Sequence, residues 1–359
     1  MRRRIAVVYN EPVPSRYDRN SEQKAVEGVM EAVSAVHQAF TELNNEIILL
    51  PLVPPFEEAR KKLAVLEVDV VFNLFEGFCG EPQTEALVPD ALTELGLVFT
   101  GCSSDVLRLA LDKAKIKVLL KAAGIPTADF QLLNPGALDE FRLDYPCIVK
   151  PRSEDASHGI SAQSVVKDFS ELQKQVTLVC ETYGNSALVE EFLTGREFNA
   201  TVIGNSDYTV LPVSEIVYTL PPDVPRLLTF AAKWENDSIY YDNTKVHCPA
   251  EITPEIREYI ADTARTTFKL VGCTGYARVD MRMDGAGKLN VIELNPNPDI
   301  SPGTGAARQS EAAGMTYAQF IDMLVNLALE KKKHDRKNSR HVRRGQAGVN
   351  ADITQYARI

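Results

Sequence analysis

Several features are scarce in this 359-residue chain, and each shortage excludes a class of protein. The six cysteines are scattered and form no Cys-x-x-Cys pair, which argues against a disulfide framework or a zinc site and predicts reduced, mostly buried thiols. The five histidines show no metal-ligand spacing either. The first apolar run ends at Tyr9, too early for a signal peptide or a membrane-spanning helix. We therefore expect a cytoplasmic protein without a membrane segment.

Positive charge is also in short supply, because the formal net charge at pH 7 is -10. An acidic chain is not expected to bind nucleic acid, although it can still form local basic pockets for phosphates. The hydrophobic and charged fractions, 45% and 25%, are ordinary for a globular protein, and the length allows two or three domains. A basic run without apolar periodicity follows Glu330. It predicts a solvated or disordered tail that is dispensable for catalysis, with binding of an anionic partner as the alternative.

Apolar strands and helices alternate along the first 105 residues. The pattern predicts strands at residues 5–9, 46–50, 68–75 and 97–101, and helices at 21–43, 56–66 and 84–95, the first of them N-capped by Ser21. This alternation predicts a parallel sheet with helices on both faces. Ligands of such sheets bind beyond the carboxyl ends of the strands, so Glu11, Glu76 and Glu81 are candidates for holding a substrate ammonium. Surface acids at loop ends are the alternative.

A second unit follows a predicted helical segment at residues 103–123. A strand at 147–149 leads to Lys150, directly before a loop of small residues whose backbone N–H groups can approach phosphates. Two further strands, at 187–192 and 198–203, are joined by a short turn. Such a pair can offer backbone groups to an adenine edge, with Glu197 reaching a ribose. A polar loop and a plain hairpin are the alternatives.

The stretch from residue 276 to 298 is typical of two strands joined by a tight turn, because apolar and charged residues alternate before Asp-Gly-Ala-Gly-Lys. A loop closed by Asp284 and Leu289 would make two pairs face each other across the strands: Asp280 with Glu293, and Arg278 with Asn295. The resulting oxygen donors suit Mg²⁺ or Mn²⁺ rather than zinc. A slip of one residue would undo this register, and a solvated hairpin whose Asp and Arg residues pair with each other is the alternative.

The order of short motifs along the chain resembles the D-alanine:D-alanine ligase branch of the ATP-grasp superfamily. The motifs are Lys113, then IVKP, LVEEFLTGREF, AAKWE, TKVHCPAEI, GCTGYARVD and IELNPNP. The resemblance extends to about residue 330 and implies an α/β fold, with a Rossmann-like N-terminal domain (1–105) before a two-lobed ATP-grasp fold. The small lobe would span 106–192 and the large lobe, with the metal site, 193–330, with ATP between them. Residues 331–359 would form the flexible basic tail.

The resemblance also implies a role for individual residues. Lys113 and Lys150 match lysines that contact nucleotide phosphates, and Lys233 matches a lysine near the γ-phosphate. The adenine and ribose site would comprise Glu190, Phe192, Leu193 and Glu197. The ligands of Mg²⁺ (or Mn²⁺) would be Asp280, Glu293 and Asn295. Arg278 would stabilise the oxyanion during amine attack, and Ser157 belongs to a loop, 152–160, that would close as a lid.

The reaction implied is ATP-dependent formation of an amide or peptide bond through an acyl phosphate. Its substrates would be amino acids or a small peptide, and the enzyme would be a homodimer. A nucleotide-binding regulatory protein of the same fold is the other hypothesis, and the retained Arg278 favours the enzyme because a sensor needs no oxyanion group.

The chain departs from the family at substrate-side positions. It has Asp155-Ala156-Ser157 where Gly-Ser-Ser is usual, Glu76 where a histidine is common, and Pro298-Asp299-Ile300 in place of Pro-Gly-Met. We therefore expect an acceptor other than D-alanine, with Glu11, Glu76, Asp299 and Thr304 as substrate-side candidates. Asp299 could receive an ammonium or guanidinium. The alternative is that Asp299 caps the turn at Ser301.

Overall fold

A parallel three-stranded sheet forms the first part of the computed structural model, which describes residues 2–14, 28–184 and 186–331. Its strands are β1 (Arg4–Asn10), β2 (Glu46–Leu52) and β3 (Val70–Leu74), in the order β2-β1-β3. The helices of this part are α1 (Val29–Glu42), α2 (Phe56–Ala64) and α3 (Leu87–Glu94). The predicted N-cap Ser21 lies outside the described residues.

Alternation of side chains along β1 decides which helices cover which face of this sheet. Ile5 and Val7 pack in a core with α1 and with a helix, α11, at residues 317–331. Ala6 and Val8 pack on the opposite face with α2 and α3. The predicted parallel sheet with helices on both faces is confirmed.

The strand predicted at residues 97–101 is wrong, because only one parallel bridge, Val71 with Phe99, forms there. The backbone N–H of Asn73 donates to the Thr100 hydroxyl, at 3.0 Å, instead of to a main-chain carbonyl. The Thr100 hydroxyl thus replaces the main-chain carbonyl that would accept the next hydrogen bond between the two strands, and the strand pairing ends there. The chain then leaves the sheet at Gly101, whose φ of +90° suits glycine.

The predicted helical segment at 103–123 consists of two helices, α4 (Ser104–Leu111) and α5 (Lys113–Ala122), separated at Asp112. The Asp112 carboxylate caps α5 by accepting from the Lys115 backbone N–H, and it also accepts two hydrogen bonds from Arg152, at 2.9 and 2.6 Å. Apolar residues of both helices pack into the core of the largest sheet. The break places Lys113 at the start of a helix, beside the loop that begins at Arg152.

Two antiparallel sheets make up the rest of the molecule. The smaller has the order β4-β7-β5-β6 and is covered by α6. Its elements are β4 (Phe130–Leu133), β5 (Cys147–Pro151), β6 (Val165–Val166), α6 (Phe169–Tyr183) and β7 (Ala187–Glu191). Within the larger sheet the order is β11-β10-β8-β12-β13, with β9 paired to β8. Its elements are β8 (Glu197–Gly204), β9 (Thr209–Val210), β10 (Ser214–Tyr218), α7 (Phe230–Trp234), α8 (Ile239–Asp242), β11 (Thr244–His247), α9 (Pro254–Val271), β12 (Gly275–Met283), β13 (Leu289–Asn295) and α10 (Gly305–Ala312).

The hairpin of β12 and β13 has the register expected at its polar residues, with Asp280 opposite Glu293 and Arg278 opposite Asn295. The expected closing pair is wrong, because Leu289 pairs with Met283 rather than with Asp284. A bulge between Asp280 and Met281 in the ladder accommodates one extra residue of β13 and restores the register. The one-residue difference at the turn is therefore offset by the one-residue bulge, and the polar residues keep the expected register.

None of the helices within the described ranges is both long and apolar enough to cross a lipid bilayer. All six cysteines are free, and Cys102, Cys147 and Cys273 are buried.

Candidate active site

A cavity of about 620 Å³ is bordered by residues from all three sheets. With the exception of Glu81, the residues assigned a site role from the sequence line this cavity. These residues are Glu11, Glu76, Lys113, Lys150, Ser157, Glu190, Phe192, Leu193, Glu197, Lys233, Arg278, Asp280, Glu293, Asn295, Asp299 and Thr304. Glu81 is not among the lining residues and instead accepts a hydrogen bond from the side chain of Gln83.

The polar face of the β12–β13 hairpin lines the cavity. Arg278 donates two hydrogen bonds to the Asp280 carboxylate, at 2.7 and 2.8 Å. Lys113 Nζ lies 2.6 Å from Glu293 Oε1. Burial opposes ionisation of Glu293, but Lys113 outweighs it and lowers the pKa of that carboxyl. The Asp–Arg pairing that the sequence offered as an alternative is therefore present, but it lies inside the cavity rather than on a solvated strand.

The donor set of this hairpin fits a divalent cation that prefers oxygen. Asp280, Glu293 and Asn295 supply two carboxylates and one amide oxygen, are close neighbours in the strand register and line the same cavity. No group of three or more His, Cys, Asp or Glu side chains in the described ranges could hold a metal. Arg278 and Lys113 balance the two carboxylate charges.

Three lysines approach the hairpin from different elements. Lys113 starts α5, Lys150 belongs to β5, and Lys233 lies in α7. Lys233 makes no ion pair with any described residue, and burial together with nearby Arg278 lowers its pKa. Clustered ammonium groups of this kind can neutralise a polyphosphate.

The cavity wall combines apolar residues with the buried carboxylate Glu190. The apolar residues include Ile148, Phe192 and Leu227. Glu190 is 1% exposed, and its Oε1 atom has no hydrogen-bond partner among the described residues. A buried acceptor without a donor fits a ligand that brings an amine, such as adenine.

Glu197 is held by groups that the sequence analysis missed. Arg282 donates to Glu197 at 3.0 Å, and the Tyr218 hydroxyl donates to it at 2.8 Å. The Arg282 guanidinium also lies 5.3 Å from the centre of the Phe192 ring. Arg282 could have been found, because it alternates with Arg278 and Asp280 on the same side of β12.

Lys117 was also missed. Its side chain is 0% exposed, and its Nζ atom lies 3.2 Å from Glu190 Oε2. The signal was its position four residues after Lys113 on one helix, which places both lysines on the same side.

Residues 154–158 and 160 of the predicted lid line the cavity. Within this loop, Ala156 and Ser157 have positive φ angles of 53° and 65°. Lys113 donates to the Glu154 carbonyl and lies 3.4 Å from Asp155. Lys113 therefore links the loop to the hairpin carboxylate Glu293.

Several acidic residues from separate segments also line the cavity. Burial, and then the charges of Asp299 and Asp155, raise the pKa of Glu76 to about 8. Burial and Asp155 likewise raise the pKa of Glu85 to about 8, although Asn297 donates to it at 2.7 Å. The sequence analysis missed Glu85, whose role depends on this long-range contact.

Asp299 caps the turn at Ser301, which was the alternative interpretation of the sequence, and it also lines the cavity. Asp299 Oδ1 accepts from the Ser301 backbone at 2.8 Å and from its hydroxyl at 2.7 Å. Thr304 donates its hydroxyl to the Ser301 carbonyl at 2.7 Å. Capping of the turn and a place on the cavity wall are thus combined in one residue.

Comparisons with known proteins agree with this geometry. A family model described as "D-ala D-ala ligase C-terminus" matches residues 119–326. The uncharacterized protein y4sG of Sinorhizobium fredii is 33% identical over 259 residues, which cover 72% of this chain and 74% of that protein. D-alanine–D-alanine ligase of Haemophilus influenzae is 30% identical over 265 residues, which cover 72% of this chain and 82% of the ligase.

Two solved structures share the fold. D-alanine–D-alanine ligase from Bacillus anthracis complexed with ATP has a TM-score of 0.72 at 22% identity and covers 93% of this chain and 99% of its own. VanG D-Ala:D-Ser ligase from Enterococcus faecalis has a TM-score of 0.71 at 21% identity and covers 91% of this chain and 100% of its own. The predicted α/β architecture, a Rossmann-like domain followed by a two-lobed ATP-grasp fold, is confirmed.

Proposed function

Because this chain belongs to the D-alanine–D-alanine ligase family, we propose that its cavity joins a carboxylate to an amine and couples this step to the cleavage of ATP to ADP and phosphate. The enzyme is an ATP-dependent carbon–nitrogen ligase that uses Mg²⁺. A free carboxylate is a poor acyl donor, so it first takes the γ-phosphoryl group to become an acyl phosphate. The amine then displaces phosphate and leaves an amide.

The observation that carries this function is the convergence of the hairpin and the lysines in one cavity. Asp280, Glu293 and Asn295 would hold Mg²⁺, which neutralises phosphate charge when it is bound. Lys113, Lys150 and Lys233 would position and neutralise the phosphates. Arg278 lies beside this set, and a binding protein without turnover has no need for an oxyanion group.

Other residues would contact the acyl group of the substrate or the adenine and ribose of ATP. Arg278 would stabilise the negative charge that develops on the carbonyl oxygen during amine attack. Ser157 and the loop at 152–160 would keep water from the acyl phosphate. Glu190, Phe192, Leu193 and Glu197 would hold adenine and ribose. These roles are supported by the place of each residue on the cavity wall.

We propose that the acceptor carries a cationic group. Three positions depart from the family, Glu76, Asp155 and Asp299, and after burial the charges of Asp299 and Asp155 raise the pKa of Glu76, although the three residues come from separate parts of the chain. Glu11 and Thr304 line the same cavity. An ammonium or guanidinium would be stabilised there, and an α-carboxylate near Asp299 would be repelled.

A product assay tests both proposals. Phosphate release is measured with pooled amino acids, and the pool is then resolved into D-alanine, neutral amino acids and diamino acids, with wild type and with Asp299→Gly. We expect Mg²⁺-dependent turnover and a preference for a cationic acceptor that Asp299→Gly reduces. A preference for D-alanine that is unchanged in Asp299→Gly would refute the cationic acceptor while leaving the ligase function standing. Absence of phosphate release with every pool would argue for the regulatory protein.

We further propose that the enzyme works in the cytoplasm as a homodimer on small molecules and binds no nucleic acid. Gel filtration with light scattering tests the dimer.

A further inference from the structure

The Glu190 carboxylate is bound unequally at its two oxygen atoms. Lys117 Nζ lies 3.2 Å from Oε2, and Lys150 Nζ lies 3.0 Å from the same atom. Oε1 is buried and has no partner among the described residues. Both cations outweigh burial and lower the pKa of Glu190, so the carboxylate stays ionised and can only accept hydrogen bonds.

Lys117 is fixed on its other side by the larger sheet. Its ammonium donates to the Thr127 hydroxyl at 2.8 Å, and that hydroxyl donates to the Val291 carbonyl at 2.7 Å. The side chain is 0% exposed, so Lys117 cannot contact a ligand directly. It connects β13 of the larger sheet to Glu190 of the smaller one.

We propose that Lys117 is a positioning residue for nucleobase selection: it holds Oε2 so that Oε1 accepts from the 6-amino group of a purine. This inference rests on the ligase function proposed above. A 6-carbonyl purine would present a lone pair to the same carboxylate oxygen and be rejected. Apolar side chains of Ile148, Phe192 and Leu227 line the same cavity and would pack against the ring of the base.

The probes are ATP and ITP, which carry an amine and a carbonyl at the same ring position. Their dissociation constants are measured by calorimetry for the full-length wild type, Lys117→Met and Lys121→Met. Lys121 is the matched control, because it lies one turn further along α5, 5.2 Å from the Phe130 ring that Lys117 also approaches at 5.8 Å, but it pairs with Asp129 at the surface.

We expect wild type and Lys121→Met to prefer ATP by about tenfold or more, which corresponds to about 1.4 kcal/mol. Lys117→Met should reduce the preference to about threefold or less, since one of the two groups that hold Oε2 is lost. In a Glu190→Gln background, Lys117→Met should have no further effect on the ratio, because Lys117 acts through Glu190. A general packing defect would weaken both nucleotides equally.

An ATP-to-ITP ratio in Lys117→Met equal to that of wild type would overturn the proposal, as would equal binding of both nucleotides by wild type. If Lys117→Met fails to fold by circular dichroism, Lys117→Gln decides by the same ratio. A wild type that binds neither nucleotide would instead refute the ligase function.

Discussion

Asp280→Asn removes one charge from the centre of the cavity, and its two effects can be worked out separately. The asparagine oxygen can still accept one of the two hydrogen bonds that Arg278 now donates at 2.7 and 2.8 Å. Its amide nitrogen would then face the second guanidinium N–H, donor against donor. Arg278 and Asp280 are 18% and 20% exposed, so the lost charged hydrogen bond is expected to lower the free energy of unfolding by about 2 kcal/mol. That corresponds to a fall in Tm of about 4–8 °C.

Catalysis should suffer far more than stability. A bound cation supplies several kcal/mol of transition-state stabilisation, so loss of a carboxylate ligand is expected to lower kcat/KM by about 10³-fold or more. Phosphate release is measured over a Mg²⁺ titration, beside thermal unfolding. Asp284→Asn is the matched control, because Asp284 lies in the turn of the same hairpin and is not part of the cavity wall. Full activity of Asp280→Asn in a folded protein would refute the metal assignment.

Three further predictions follow from single contacts. The pKa of the Glu76 carboxyl is raised to about 8, so this group is neutral below that pH and charged above it. KM for a guanidinium acceptor should therefore fall between pH 7 and 9 in wild type. In Glu76→Gln, KM should not change over this range. Gln309→Leu should lower the free energy of unfolding, measured in urea, by about 2–4 kcal/mol, because the buried Thr201 N–H and Asn199 carbonyl lose their hydrogen-bond partner. The control Gln38→Leu, at an exposed position, should change this free energy by less than about 0.5 kcal/mol. A chain ended after Lys331 should keep wild-type turnover. One ended after Glu330 should lose the hydrogen bond from Lys331 to Thr274 and the contact of Lys331 with the Phe99 ring, seen as a slightly lower Tm with equal kcat.

The sequence by itself determined the elements whose patterns are local. Alternating strands and helices gave the parallel N-terminal sheet, because a period of two or of 3.6 residues fixes which side chains face a core. Motif order pointed to the ATP-grasp fold and to the residues that line the cavity. The register at Asp280 and Glu293 was also predictable, although the turn and the bulge each differ by one residue from the expected hairpin.

Only the tertiary structure decided the contacts between distant segments. The predicted strand at 97–101 is reduced to a single bridge where the Thr100 hydroxyl accepts a hydrogen bond from the Asn73 backbone N–H, a contact that no propensity encodes. Glu85 accepts a hydrogen bond from Asn297, and Glu190 forms ion pairs with both Lys117 and Lys150, although these residues are far apart in the chain. The shared acidic environment of Glu76, Asp155 and Asp299 likewise appears only after three segments have packed together. The physical reason is that burial and charge depend on distance in space, whereas sequence patterns report only the neighbours along one helix or strand.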